Sequence, residues 1–149
     1  MSLSQRITND LQTALKQSDK LTLSVLRMAK AALTYRKKEE GEELSEDDVI
    51  AVLSTLAKQR RESIEQFLQG GREDLADKER QELDILLSYL PKQISTQELD
   101  ILIAEVIHET SADGLKDLGK VMKILMPKIK GVADGKIVNQ RVKDLLASP

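Results

Sequence analysis

Cysteine is absent from all 149 residues. Disulfides, thiolate nucleophiles and cysteine-based zinc sites are therefore excluded together. Aromatic residues make up 2% of the chain and tryptophan is missing. The core must then be aliphatic and rich in alanine. Helices accept such a core, because small and straight-chain residues lose little rotamer freedom in them. Sheets favour the β-branched and aromatic residues that are thin here. Only three prolines interrupt the chain. Histidine occurs once, as His108, which rules out a multi-histidine metal site and leaves few base-activated nucleophile pairs. Its position suits an exposed residue near a helix C-terminus, where a cation complements the dipole. No apolar run approaches the roughly 20 residues needed to span a bilayer. The opening "MSLSQRITNDLQTALK" has no signal-peptide apolar stretch and includes an acid, which predicts a mature sequence and a cytoplasmic location. The net charge of −2 means that any polyanion site must be local.

What is present reads as helix throughout. Ile7, Leu11, Ala14 and Leu15 recur at helical spacing after a candidate cap at Ser4. Asp19 is a second candidate cap, followed by the stripe Leu21, Val25, Met28, Ala32 and Leu33. The charged, glycine-containing "RKKEEGEELSEDD", Arg36 to Asp48, predicts a connection that ends in a capping box at Ser45 and Asp48. Val49, Val52, Leu53, Leu56, Ile64, Phe67 and Leu68 then mark a long helix stopped by Gly70-Gly71. Leu75, Leu83, Leu86, Leu87 and Leu90 mark the next one. "LPKQIST" predicts a unit boundary, since proline disfavours helix before it and Ser95 or Thr96 can cap a new one. Beyond it, Leu99 to Ile107, Leu115 to Leu125 (limited by Pro127) and Val138 to Leu146 predict three shorter helices, the last capped by Asp134. The expected fold is all-α: a bundle-like domain of about four helices over residues 1–92, then a three-helix tail domain over 93–149.

Catalytic machinery is not evident. "QGGRED" has adjacent glycines but neither a following GK[ST] nor a preceding strand, so it is no phosphate loop. The acids Asp74, Glu79 and Glu82 could serve an amide-forming enzyme only if they shared a cleft with Arg27 or Arg61. Such acids on charged helices are usually solvated or paired with nearby bases. "KQRRES", Lys58 to Ser63, is read in that way, with Arg61 pairing with Glu65 or with acids of the next helix, because seven acids lie within Glu39 to Asp48. No metal site and no cofactor is expected.

The tail differs. Between Lys116 and Lys143 there are eight basic residues against two acids, Asp117 and Asp134. Lys116, Lys120 and Lys123 are spaced to share one helix face, as are Lys136, Asn139, Gln140 and Lys143 on the last helix, with Lys128 and Lys130 expected in the loop between. Two basic ridges suit a phosphate backbone, and the amides add donors and acceptors for sugar or base edges. Gly131 and Gly135 would let backbone N–H groups approach a phosphate, and the helix opened by Asp134 would favour an anion. Without aromatic platforms, the shape of a structured RNA is a better target than single-stranded bases. A lysine-rich solvated face is the competing reading. Mid-helix Gly119 is expected to permit close helix packing, and Met122, Leu125 and Met126 to belong to the core.

"LGKVMKILMPKIKGVADGKIVNQRVKDLL", Leu118 to Leu146, is similar to the C-terminal signature of the YqeY family, with Gly119-Lys120-Val121-Met122 and the Gly131 to Asn139 turn carrying the likeness. "VLRMAKAAL", "KQRRESIEQF", "GREDLADKE" and "YLPKQIS" also resemble that family, so the likeness spans nearly the whole chain. It implies a helical domain followed by a tail domain shared with the B subunit of the tRNA-dependent amidotransferase. In that enzyme the tail engages the outer part of tRNA, and related domains are appended to some glutaminyl-tRNA synthetases. The resemblance thus implies a tRNA-associated accessory protein, linked to carbon–nitrogen ligase activity with glutamine as amido donor. The partners it implies are tRNA and an aminoacyl-tRNA synthetase or amidotransferase subunit, with no membrane. The chain lacks both a cradle to activate tRNA-bound glutamate and an amidase triad, so no residue is assigned a catalytic role. The candidate RNA-binding residues, read from their spacing, are Lys116, Lys120, Lys123, Lys128, Lys130, Lys136, Asn139, Gln140 and Lys143. A protein-interaction module without nucleic acid and a weak glutamine-dependent enzyme remain the alternatives.

Overall fold

The computed structural model describes residues 1–147 and, among them, is all-α with seven helices. The chain divides into two compact units, Met1–Pro91 and a second that begins at Lys92.

The first unit holds α1 (Leu3–Lys16), α2 (Lys20–Glu40), α3 (Glu46–Gln69) and α4 (Glu73–Leu87). Helix α1 starts two residues earlier than its apolar pattern suggests. Ser2, not Ser4, is the cap, and it forms a reciprocal capping box with Gln5. The predicted connection Arg36 to Asp48 is shorter than expected, because Arg36 to Glu40 finish α2. Arg36 pairs with Glu40 one turn later at 2.6 Å, and Gly41 ends the helix in the left-handed conformation at φ 73°. The Ser45–Asp48 capping box forms as read. Replacing Ser45 by Ala is expected to cost about 1 kcal/mol of the first unit's stability in a urea titration.

The buried cluster comes from helical spacing: Ile7 on α1, Val25, Leu26, Ala29 and Leu33 on α2, Val49, Val52, Leu53 and Leu56 on α3, and Leu86 on α4. Only the first half of α3 enters it. Beyond Ala57 the helix is partly covered at most and Leu68 is exposed. That second half lies against α4, reached through the Gly70-Gly71 turn, with Gly71 at φ 73°. Tyr89 completes the cluster. Its hydroxyl donates to Asp10 Oδ2 at 2.6 Å, and the Arg6 guanidinium stacks 4.5 Å from the ring centroid. Burial, then the Asp10 carboxylate, pushes the phenol well above its ordinary pKa.

The second unit holds α5 (Thr96–Thr110), a 3₁₀ turn (Leu115–Asp117), α6 (Leu118–Ile129) and α7 (Gly135–Ala147). Ser95 caps α5 through a 3.1 Å bond from the Glu98 N–H. Leu99, Ile103 and Val106 of α5 bury against Val121, Leu125 and Ile129 of α6 and Val138 and Val142 of α7. Pro127 does not end α6 but sits inside it. It removes only the bond to the Lys123 carbonyl, and because Pro127 faces solvent that carbonyl can bond to water.

Candidate nucleic-acid interface

Helix α6 buries Val121, Leu125 and Ile129 and turns Lys120 and Lys123 outward. Helix α7 buries Val138 and Val142 and turns Lys136, Gln140 and Lys143 outward. A connection of five residues makes the two helices antiparallel neighbours, and a Cβ at Gly135 would lie 3.4 Å from Met126 Cε. The 3₁₀ turn at the other end touches both helices. This register sets Lys136 beside the end of α6 and Lys143 beside its start, on helix axes about 8–10 Å apart.

Lys116, Lys120, Lys123, Lys130, Lys136 and Lys143 are all exposed. Among the described residues none of the six has a carboxylate within ion-pair distance. Arg141 is different: its guanidinium grips Asp100 of α5 with two bonds of 2.6 and 2.7 Å. That pair holds the Asp100 carboxyl below the usual carboxylate range, chiefly through the hydrogen bond, so its contribution is present above that range and is lost as pH falls through it.

Several details differ from the pattern in the sequence. Lys128 lies in α6 rather than in a loop and approaches Glu109 at 3.9 Å, which removes it from the unpaired set. Lys116 sits in the 3₁₀ turn, so it extends the α6 ridge without sharing its helical register. Asn139 is half-buried, and Gln140 Nε2 donates to Asp144 Oδ1 at 3.0 Å, so one of the two amides is already engaged.

The glycines serve the fold rather than a phosphate. Gly131 is buried at φ 78°, and its carbonyl accepts from Gln93 Nε2 at 2.9 Å. The following N–H groups of Val132 and Ala133 both return to the Ile129 carbonyl. A Cβ at Gly135 would only make ordinary contact with Met126, which is exposed at 43% rather than in the core as expected. At the N-terminus of α7 the Asp134 Oδ1 accepts from the Lys136 N–H at 3.0 Å, so a carboxylate already stands beside the place proposed for an external anion. Gly119 performs no packing: a Cβ there would meet nothing within 4 Å. Gly119→Ala is therefore expected to raise the thermal stability of the second unit by roughly 0.5–1 kcal/mol, measured by calorimetry.

The acids considered for catalysis do not converge. Asp74 pairs with neighbouring Arg72 at 3.1 Å on an exposed turn. Glu79 and Glu82 of α4 instead meet Arg60 of α3, whose Nε lies 3.3 Å and 2.9 Å from their Oε2 atoms. All three side chains are mostly buried, at 14%, 20% and 12% exposure. Arg60 Nη2 also contacts the Met28 sulfur. Within the cluster, Arg60 Nε and Glu79 Oε2 lack a well-aligned hydrogen bond. Burial, and then Glu82, pushes the Glu79 carboxyl above its ordinary range. Arg60 is thus a residue of this basic run that reaches the next helix. The sequence carried a signal for it. Arg60 stands four residues after Leu56, and Glu79 three after Ala76 and four before Leu83, so both occupy apolar stripes.

His108 is exposed in the last turn of α5, beside a surface depression of about 720 Å³ lined also by Asp100, Ser111 and Asp113. Among the described residues no group of three or more acids or histidines is placed to hold a metal ion, and no helix is long and apolar enough to cross a membrane.

Comparison with known proteins matches residues 4–146 to the family described as Yqey-like protein. A protein of Pyrenophora tritici-repentis named "Altered inheritance of mitochondria protein 41, mitochondrial" is 27% identical over 146 residues, covering 96% of this chain and 80% of that protein. The protein of the same name in Saccharomyces cerevisiae is 29% identical over 131 residues, covering 87% and 69%. An uncharacterised protein of Schizosaccharomyces pombe is 32% identical over 89 residues, covering 60% and 72%. These names correct the expected cytoplasmic location, since the first two relatives are named as mitochondrial. The lack of a signal-peptide apolar stretch in the opening residues, on which that expectation rested, does not distinguish one aqueous compartment from another.

Proposed function

The chain belongs to the YqeY family, and from that membership we propose that it is a tRNA-associated accessory protein whose second unit binds the RNA backbone. The observation that carries this reading is the set of six exposed lysines on α6, α7 and their flanks, none of them neutralised by a carboxylate among the described residues. Such ammonium groups gain by releasing counterions from phosphates. Structured RNA suits them better than single strands, because all three aromatic residues, Tyr35, Phe67 and Tyr89, lie in the first unit.

Three to five phosphate contacts give affinities of the order of micromolar, appropriate to a helper that docks beside an enzyme. The contacts fall to Lys120, Lys123, Lys130, Lys136 and Lys143, with Lys116 and Asn139 at the margins. Any amide chemistry then belongs to the partner, an amidotransferase subunit or a synthetase. In this chain Asp74, the Glu79–Glu82 pair and Arg27 stand in separate surroundings rather than in one cleft. Fluorescence anisotropy with labelled total tRNA tests the reading. Micromolar binding that weakens steeply with salt is expected, and binding no tighter than to a neutral polymer would overturn it.

A further inference from the structure

The first unit, despite its many acids, contains a helix of the opposite sign. From Lys20 to Lys38 there are six basic residues and no acidic one. Two of them are neutralised within the unit, Arg36 by Glu40 and Lys37 by Glu43. Arg27, Lys30 and Lys38 are exposed and, among the described residues, have no carboxylate within ion-pair distance. These three line a groove of about 510 Å³ along α2 and Leu11 of α1, together with Ala31, Thr34 and Tyr35. Tyr35 is 66% exposed, and the nearby Leu15 of α1 is 55% exposed.

We propose that this groove docks an amphipathic, acidic helical segment of a partner protein, its apolar side on Leu11, Ala31 and Tyr35 and its carboxylates against Arg27, Lys30 and Lys38. The dimensions suit such an occupant. Arg27 and Lys38 are eleven residues apart on one helix, which spans about 16 Å, or three turns. A helix laid in a groove anchors through apolar residues spaced over the same length. The rim charges set its orientation and speed the encounter. An RNA backbone would satisfy the three cations but leave Leu11 and Ala31 without an apolar partner. The proposal is independent of the RNA surface on the second unit.

The test uses the full chain and a synthetic, fluorescein-labelled peptide of 16 residues, with leucines at helical i, i+3, i+4, i+7 spacing and glutamates elsewhere. A permuted peptide of the same composition, with its leucines scattered, serves as the control. The patterned peptide is expected to bind with a Kd on the order of tens of micromolar. The permuted peptide should bind at least fivefold more weakly. Arg27→Glu with Lys38→Glu, and separately Ala31→Glu, should each weaken the patterned peptide at least fivefold, with unchanged circular dichroism. Where the double charge reversal perturbs folding, Arg27→Gln with Lys38→Gln replaces it. Equal binding of the two peptides would overturn the proposal, as would indifference to the groove variants or no binding at 1 mM peptide. Loss of tRNA affinity in the Arg27/Lys38 variant without loss of peptide affinity would identify the face as an RNA surface instead.

Discussion

Replacing Lys120 and Lys136 together by Glu is expected to weaken tRNA binding well over tenfold while leaving the helical circular dichroism unchanged. Both side chains are exposed, one on each of the adjacent helices α6 and α7, and among the described residues neither is in an ion pair. Nothing in the fold therefore depends on them. Each substitution removes a phosphate partner and also places a negative charge on the path of the backbone. Along the chain only Asp117 and Asp134 are acidic between Lys116 and Lys143. Arg141→Gln is the contrasting case. Arg141 is committed to Asp100, so its loss should loosen the contact between α5 and α7 far more than it weakens RNA binding.

A large effect on stability is expected from Arg60→Met. The substitution leaves Glu79 and Glu82 side by side, 20% and 12% exposed, with no cation between them. Removing one partner from a buried ionic cluster typically costs about 3–5 kcal/mol. Both tyrosines lie in the first unit and tryptophan is absent, so tyrosine fluorescence in a urea titration reports on that unit alone.

The pH dependence of this deficit follows from Glu79, which burial already holds above its ordinary range. An acid with a raised folded pKa contributes most stability below its unfolded value and loses that contribution as pH rises through the folded one. Without Arg60 the pKa rises further. The deficit should therefore be largest near pH 7 and shrink as pH falls toward about 5. Replacing all three charges, as Arg60→Met with Glu79→Leu and Glu82→Leu, should recover most of the loss, because an apolar substitute for a buried ionic cluster is often neutral or better.

The helices were legible because their apolar residues recur with the helical period. Val49, Val52, Leu53 and Leu56 in the first unit, and Val138 with Val142 in the second, bury as their spacing requires. Caps with a side-chain oxygen at the expected offset, Ser45 and Asp134, also read correctly. The boundaries that misled are those where charge resembled loop. Arg36 to Glu40 stay helical because a one-turn ion pair and the Gly41 cap support them. Pro127 stays helical because its missing donor lies on the solvent side.

For the candidate interface, residue type and spacing revealed the lysine faces but not which members were already paired. The distance from Lys128 to Glu109, and the turning of the Gly131 loop onto Gln93 and Ile129, depend on where α5 and its lead-in pack. No local pattern encodes that. The α1–α2 groove was hidden for a related reason. Its charges fall on one helix and its apolar lining on two, and net composition averaged them against the acids of Glu39 to Asp48.

The most direct measurement is the dependence of tRNA affinity on salt, for the native chain and for the Lys120→Glu/Lys136→Glu variant. With three to five phosphate contacts at about −0.9 each, the native log–log slope should lie between about −3 and −4.5, and the variant's slope should be shallower by about 2. A native slope near zero, or an identical slope for the two proteins, would contradict a phosphate-binding surface on α6 and α7.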